Sequence, residues 1–231
     1  MRGMTVRLPL GAAALAAAII ATVTVAGGAA QTTTAIRGRV EIGIPVTTRR
    51  PTSGYPSRAV ATPALAPISE LRNVVVYLRD APARPMQPAH EEIRQRNETF
   101  IPRVVAVPVG SDVDFPNDDP IYHNVFSLSR PKNFNLGRFP RGESRRVRFD
   151  KPGIVRVFCD IHSHMSATVI VFNHPWFAVP DENGRYELPG VPPGDREVTA
   201  WHERLGDTTA KVHVDAGHTL TTNFTLPVPP E

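Results

Sequence analysis

Proline is the feature of this sequence that most limits how the chain can fold. The chain has 24 prolines in 231 residues, roughly twice the usual share of about 5%. Because proline lacks a backbone N–H and breaks helix interiors, this frequency disfavours a helical bundle. Short β-branched segments separated by turn residues recur along the chain instead. They predict an all-β protein, folded as an antiparallel sandwich or barrel.

The predicted strands are unevenly distributed. Residues 45–88 contain eight prolines and have the composition of an extended loop, interrupted by one strand at 73–78. Residues 90–97 are expected to form one or two helical turns. The segments richest in β-branched residues, 154–158 and 167–172, are typical of central strands.

The amino-terminal segment has the pattern of a signal peptide. Arg2 and Arg7 give it a positive start, residues 8–25 are apolar or small, and small residues precede a cleavage point after about Ala30. The sequence therefore predicts that residues 1–30 are removed and that the protein is periplasmic or secreted. The alternative is an uncleaved membrane anchor, because the apolar segment approaches spanning length.

Charge and cysteine content exclude several function classes. The formal net charge is +4, and these charges are too few and too scattered to indicate a nucleic-acid-binding protein. A single cysteine excludes an internal disulfide, a zinc ribbon and a cysteine-ligated iron–sulfur cluster. A lone cysteine is unusual in the oxidising compartment to which a signal peptide leads, so its presence calls for an explanation.

One segment brings metal-ligating residue types together. Cys159, His162 and Met165 are spaced C-x2-H-x2-M, directly after one strongly predicted strand and directly before another, and His123 lies 36 residues upstream of the cysteine at the end of a turn. A loop between adjacent strands can direct all three of its side chains to one point. One thiolate, two imidazoles and one thioether form the donor set of blue-copper electron-transfer sites, which are trigonal with a long axial Met bond.

The same residues carry a resemblance to a family. Residues 115–124 resemble the strand and turn that deliver the first histidine ligand in cupredoxins, the blue-copper fold of plastocyanin, azurin and amicyanin. Residues 150–159 resemble the strand leading to the cysteine. The short loop after Cys159 is similar to the amicyanin form. The resemblance implies a Greek-key β-sandwich over about residues 98–173, and one copper ion that alternates between Cu(I) and Cu(II).

The resemblance also implies roles for individual residues. His123, Cys159 and His162 would be the equatorial copper ligands and Met165 the axial one, and the Asn124 side chain would brace the cysteine loop by hydrogen bonding. His164 departs from the family pattern, and we expect it to be an exposed neighbour, with competition for the axial position as the alternative. Cys159 as an inert buried thiol and Met165 as core filler remain open.

The carboxyl-terminal part resembles a second family. Residues 177–194 are similar to the hairpin and Pro-Pro-Gly turn of the carboxypeptidase regulatory-like, transthyretin-type sandwich. The strands that open this fold match residues 37–40 and 74–78, which lie far upstream. We therefore expect the copper domain to be inserted into, or joined to, a small second sandwich. Chains with both parts resemble the family labelled methylamine-utilisation-like. The expected domains are a signal peptide at 1–30, N-terminal sandwich strands with the proline-rich loop at 31–82, a copper domain at 98–173 and the rest of the sandwich at 175–227.

These features favour a protein that is not an enzyme. The expected function is single-electron transfer to and from a redox partner protein, because the sequence shows no paired carboxylates or other acid–base set. Nucleic acid is not an expected partner. The protein is expected to associate with a membrane only if the signal peptide is retained. The alternative functions are copper storage or delivery, and a structural binding module without redox turnover.

Overall fold

The computed structural model describes residues 34–43 and 70–226. The predicted signal peptide at 1–30 and most of the proline-rich loop lie outside the described residues. Within the described ranges the chain is almost entirely β, which confirms the predicted fold class. The same ranges contain no helix that is long and apolar enough to cross a membrane.

The strands within residues 90–172 form two facing sheets and a small hairpin, here called the central sandwich. One sheet has the order β6-β12-β11-β8-β9, the other β10-β7-β3, and β4 pairs with β5. These strands are β3 (His90–Glu92), β4 (Arg94–Gln95), β5 (Phe100–Ile101), β6 (Val104–Pro108), β7 (Ser111–Pro116), β8 (His123–Leu128), β9 (Asn133–Phe139), β10 (Ser144–Phe149), β11 (Gly153–Phe158) and β12 (Ser166–Phe172).

The remaining strands form a second pair of sheets, here called the outer sandwich. Its sheets have the orders β14-β1-β17, with β18 also paired to β1, and β13-β2-β15-β16. A 3₁₀ helix (Glu70–Asn73) precedes β2. The strands are β1 (Ala35–Ile42), β2 (Val74–Leu78), β13 (Phe177–Ala178), β14 (Arg185–Pro189), β15 (Gly194–His202), β16 (Gly206–Val214), β17 (Thr219–Thr221) and β18 (Phe224–Leu226).

The strand pairing shows how the two sandwiches share one chain. β1 pairs with β14, β17 and β18, and β2 pairs with β13 and with β15, where Val76 lies opposite Ala200. The segments expected to open the second sandwich, at residues 37–40 and 74–78, therefore pair with strands that begin at residue 177 or later. The central sandwich is the part of the chain between β2 and β13. The domain boundaries expected from the sequence stay predictions.

Two hydrophobic cores and a smaller cluster hold these sheets together. The central core contains Phe115, Phe139 and Phe149, all fully buried, and the outer core contains Ile36 and Leu188 among others. A third cluster, here called the junction, joins β2 of the outer sandwich to β6 and β12 of the central one. It is formed by Val75, Val104, Ile170 and Phe172. The junction packs the two sandwiches against each other through apolar side chains.

One local expectation is wrong, and one strand was not expected. Residues 90–97 are not helical, because β3 adds to the edge of β7 in parallel and β4 turns back to pair with β5. Backbone pairing with a neighbouring strand therefore overrides the local helical tendency. β9 was not among the expected strands, although the alternation of Phe134 and Leu136 with polar neighbours is the signal that could have revealed it at the sheet edge beside β8.

Candidate metal centre

Three ligand-type atoms converge at one end of the central sandwich. His123 is the first residue of β8, Cys159 directly follows β11, and His162 lies in the loop of residues 159–165 that leads to β12. The Nδ1 atoms of the two histidines are 3.1 Å apart. Cys159 Sγ lies 4.0 Å from His123 Nδ1 and 3.9 Å from His162 Nδ1. In three of the four predicted ligands, the atoms that would bind a metal therefore lie close to one another.

The triangle formed by these atoms has room for a metal ion. A point in its plane that is about 2.0 Å from both nitrogens is about 2.4 Å from the sulfur, close to typical zinc bonds of about 2.0 Å to imidazole and 2.3 Å to thiolate. The trio therefore fits a first-row transition metal without rearrangement. A trigonal set of one thiolate and two imidazoles is the arrangement that copper occupies in electron-transfer sites.

The environment of Cys159 favours the thiolate form. Burial alone raises the pKa of this thiol. The hydrogen bond with His123 and backbone N–H groups of Asn124, His162 and Ile161 outweigh burial and lower the pKa to about 6. The Asn124 N–H lies 3.5 Å from the sulfur. Because the thiolate is the form that binds metals, the chain prepares this sulfur for coordination near neutral pH.

A carboxylate that the sequence analysis missed orients His123. The Asp119 carboxylate lies 2.8 Å from His123 Nε2. It also accepts hydrogen bonds from the backbone N–H groups of Asn97 and Glu98, at 2.6 and 2.8 Å. Burial lowers the pKa of His123, but its hydrogen bonds with Cys159 and Asp119 prevail and raise the pKa. Because the Asp119 carboxylate accepts the Nε2 proton, the proton that a metal would displace from this imidazole is the one on Nδ1, and the neutral ring would then present Nδ1 to the centre.

Met165, the expected axial ligand, belongs to the core of the central sandwich. Its side chain is buried in the central core, in the same cluster as Cys159. Its backbone N–H donates to the His162 carbonyl at 2.9 Å, which closes the loop in a tight turn. Its assignment as the axial ligand stays a prediction.

The two residues expected to support the site make different contacts. Asn124 contacts Cys159 through its backbone N–H and not through its side chain. The side-chain NH2 group of Asn124 donates to Asn135 Oδ1 at 2.8 Å. The Oδ1 atom of Asn124 has no hydrogen-bond partner among the described residues. His164 is exposed, and its Nε2 lies 3.5 Å from the Glu98 carboxylate. Asn124 thus braces β9 with its side chain, while His164 points to an acidic neighbour.

Two kinds of known protein resemble parts of this chain. Residues 164–227 match the family model of the carboxypeptidase regulatory-like domain. This range begins inside the candidate metal loop and includes β12, which belongs to the central sandwich, whereas β1 and β2 of the outer sandwich lie outside it. No curated protein sequence matches the chain.

Several solved structures resemble the chain in part. A purple cupredoxin from Nitrosopumilus maritimus is 23% identical, with 36% of this chain and 99% of that chain covered and a TM-score of 0.33. A mutant of amicyanin, Cu(I), is 16% identical over 36% of this chain and 82% of that chain, with a TM-score of 0.35. A copper-containing nitrite reductase from Thermus scotoductus SA-01 is 23% identical over 47% of this chain and 28% of that chain, with a TM-score of 0.36.

Proposed function

We propose that this protein holds one copper ion between His123, Cys159 and His162 and transfers single electrons between partner proteins. The observation that carries the proposal is the convergence of two Nδ1 atoms and one thiolate sulfur at distances that suit a trigonal site. Bound copper would supply the one-electron exchange between Cu(I) and Cu(II).

The contacts around the three ligands suit an electron carrier because they limit ligand movement. Asp119 fixes the imidazole of His123, backbone N–H groups fix the sulfur of Cys159, and the Met165 N–H fixes the turn that contains His162. A carrier exchanges electrons fastest when its ligands keep their positions in both redox states. These contacts meet that requirement before a metal arrives.

The surface beside the centre suits contact with another protein. His123 is fully buried and His162 is only partly buried, so His162 forms the side of the centre nearest to solvent. Each of the two histidines is preceded by exposed apolar residues, Ile121 and Tyr122 before the first and Ile161 before the second. Exposed apolar side chains often mark interaction sites, and we propose that a redox partner docks here.

Copper titration of the mature protein tests the function. We expect one copper ion per chain, an intense thiolate-to-copper band in the visible spectrum and a reversible midpoint potential with fast self-exchange. A colourless protein that binds zinc in preference would overturn the copper assignment. Copper that binds but is released by ligand exchange without reversible redox cycling would instead support storage or delivery.

Replacement of Met165 tests the axial assignment. A Met165→Leu variant is expected to retain copper and colour while its midpoint potential rises, because a donor to Cu(II) is lost. Leucine preserves the buried volume, so the core is expected to tolerate the change. A His164→Ala variant is the control and is expected to leave the potential and the spectrum nearly unchanged. If the His164 variant loses colour while the Met165 variant is silent, the axial assignment is wrong.

A further inference from the structure

One carboxylate of the outer sandwich contacts the central sandwich directly. Glu203 lies in the turn between β15 and β16, and its side chain is only 11% exposed. One of its oxygens pairs with Arg103 Nε, and the other accepts a hydrogen bond from Thr168 Oγ1 at 3.2 Å. Both partners belong to the central sandwich: Arg103 directly precedes β6, and Thr168 lies in β12. The pair therefore connects the two sandwiches through specific polar contacts.

Arg103 continues this connection towards the metal loop. Its Nη2 donates to Ser166 Oγ at 3.1 Å, and its backbone carbonyl accepts the Thr168 N–H at 2.8 Å. Ser166 is the first residue of β12 and directly follows Met165. The contacts thus run from Glu203 through Arg103 to Ser166, one residue beyond the loop that contains Cys159, His162 and Met165.

The surroundings of this connection distinguish it from an ordinary surface ion pair. Thr168 is almost fully buried, and the junction packs β6 and β12 against the outer sandwich beside it. The Lys211–Glu197 pair of the same outer sandwich has side chains that are 85% and 32% exposed and a separation of 3.7 Å. Exposed pairs of that kind contribute little to stability. The Arg103 side chain is 36% exposed, but the carboxylate with which it pairs is only 11% exposed, so loss of their contact leaves a largely buried carboxylate with one hydrogen-bond partner fewer.

We propose that Glu203 and Arg103 are positioning residues through which the outer sandwich holds the carboxyl-terminal end of the metal loop. The pair keeps the first residues of β12 in the sheet, and the ordered start of β12 in turn holds the turn between His162 and Met165. Its significance for redox chemistry rests on the proposed function. The physical coupling itself concerns only the folded chain, so it can be measured without metal.

Hydrogen exchange in the metal-free, full-length mature chain tests the coupling. A Glu203→Gln variant keeps the shape of the side chain and one acceptor oxygen but loses the charge that pairs with Arg103. We expect exchange of the Met165 and Thr168 amides to rise by roughly tenfold, because the start of β12 opens more often. The matched control is Glu197→Gln, which removes an exposed pair from the same sheet and is expected to leave these amides unchanged.

Two further measurements keep the test decisive. Arg103→Lys retains the positive charge but cannot contact both Glu203 and Ser166 as the forked guanidinium does, and we expect a smaller increase at the same amides. In the copper-loaded protein, Glu203→Gln is expected to shift the midpoint potential, whereas Glu197→Gln is not. If exchange rises only within residues 202–206, or equally in both Gln variants, the coupling does not exist. If wild-type protein binds no copper but the exchange result holds, the proposed function fails and the positioning role stands.

Discussion

A Cys159→Ser variant of the copper-loaded protein is expected to lose its visible charge-transfer band. The band requires a sulfur-to-copper bond, and the serine hydroxyl is a hard, weak ligand for copper. The N–H groups that lie around the sulfur would remain, so the loop is expected to keep its shape. We expect copper affinity to fall by more than the roughly 10- to 100-fold that loss of a ligand's supporting hydrogen bond causes. Absorption spectra and a competitive titration with a copper chelator measure both effects.

The Met165→Leu variant serves as the control for this experiment, because it also alters a buried sulfur-containing side chain of the loop. We expect that variant to remain coloured. If the Cys159→Ser protein has an unchanged visible spectrum, the thiolate is not a copper ligand, and the proposed blue-copper function is wrong.

The second large effect is expected for Asp119→Asn. The replacement exchanges one carboxylate oxygen for an NH2 group, although Asp119 uses both oxygens to accept hydrogen bonds. If the NH2 group faces His123, the imidazole must accept at Nε2 and carry its proton on Nδ1, the atom directed at the metal. We expect copper affinity to fall roughly 10- to 100-fold. A chelator competition at fixed pH measures the change.

Asp118→Asn provides the matched control for this second variant. Asp118 is the neighbouring residue, but its carboxylate pairs with Arg94 at 3.1 Å and makes no contact with His123. We expect its removal to leave copper affinity within about twofold of wild type, because such half-exposed pairs are worth little. Equal affinities of the two variants would show that Asp119 does not control the histidine.

The Cys159–His162 pair could be predicted because its information is local: the two residues are close in sequence, and the strong strands before and after them leave few ways to arrange the loop between. His123 lies 36 residues upstream of Cys159, and its place beside them was expected only from the resemblance of residues 115–124 to the cupredoxin strand and turn. The opening strands of the outer sandwich were expected from the resemblance to the regulatory-like fold. For β2 there is also a physical reason, because it is a run of apolar residues that would not remain unpaired in water. In both cases the residues that carry the signal are the ones that make the contact.

The supporting contacts could not be predicted because they join segments that are distant in sequence. Asp119 is one of several acidic residues in a proline-rich turn. Its role depends on the three-dimensional fold, in which it contacts both His123 and the backbone of the hairpin at residues 94–101. Glu203 lies 100 residues from Arg103, and nothing near either residue distinguishes it from other surface charges. Residues 90–97 were expected to be helical because the pairing of β3 depends on β7, which lies 22 residues further along the chain.

The insertion of one sandwich into the other also sets an order of events during folding. Among the described strands, β1 comes first in the chain, and its partners are β14, β17 and β18, which are synthesised after the whole central sandwich. All strands of the central sandwich are made between β2 and β13, so this part can close before the outer sheets are complete. Its closure brings β2 and β13 together and shortens the loop that the remaining pairing must close. A chain truncated before residue 185 would therefore leave β1 without any of the partner strands that the structure gives it, while every strand around the metal centre would be present.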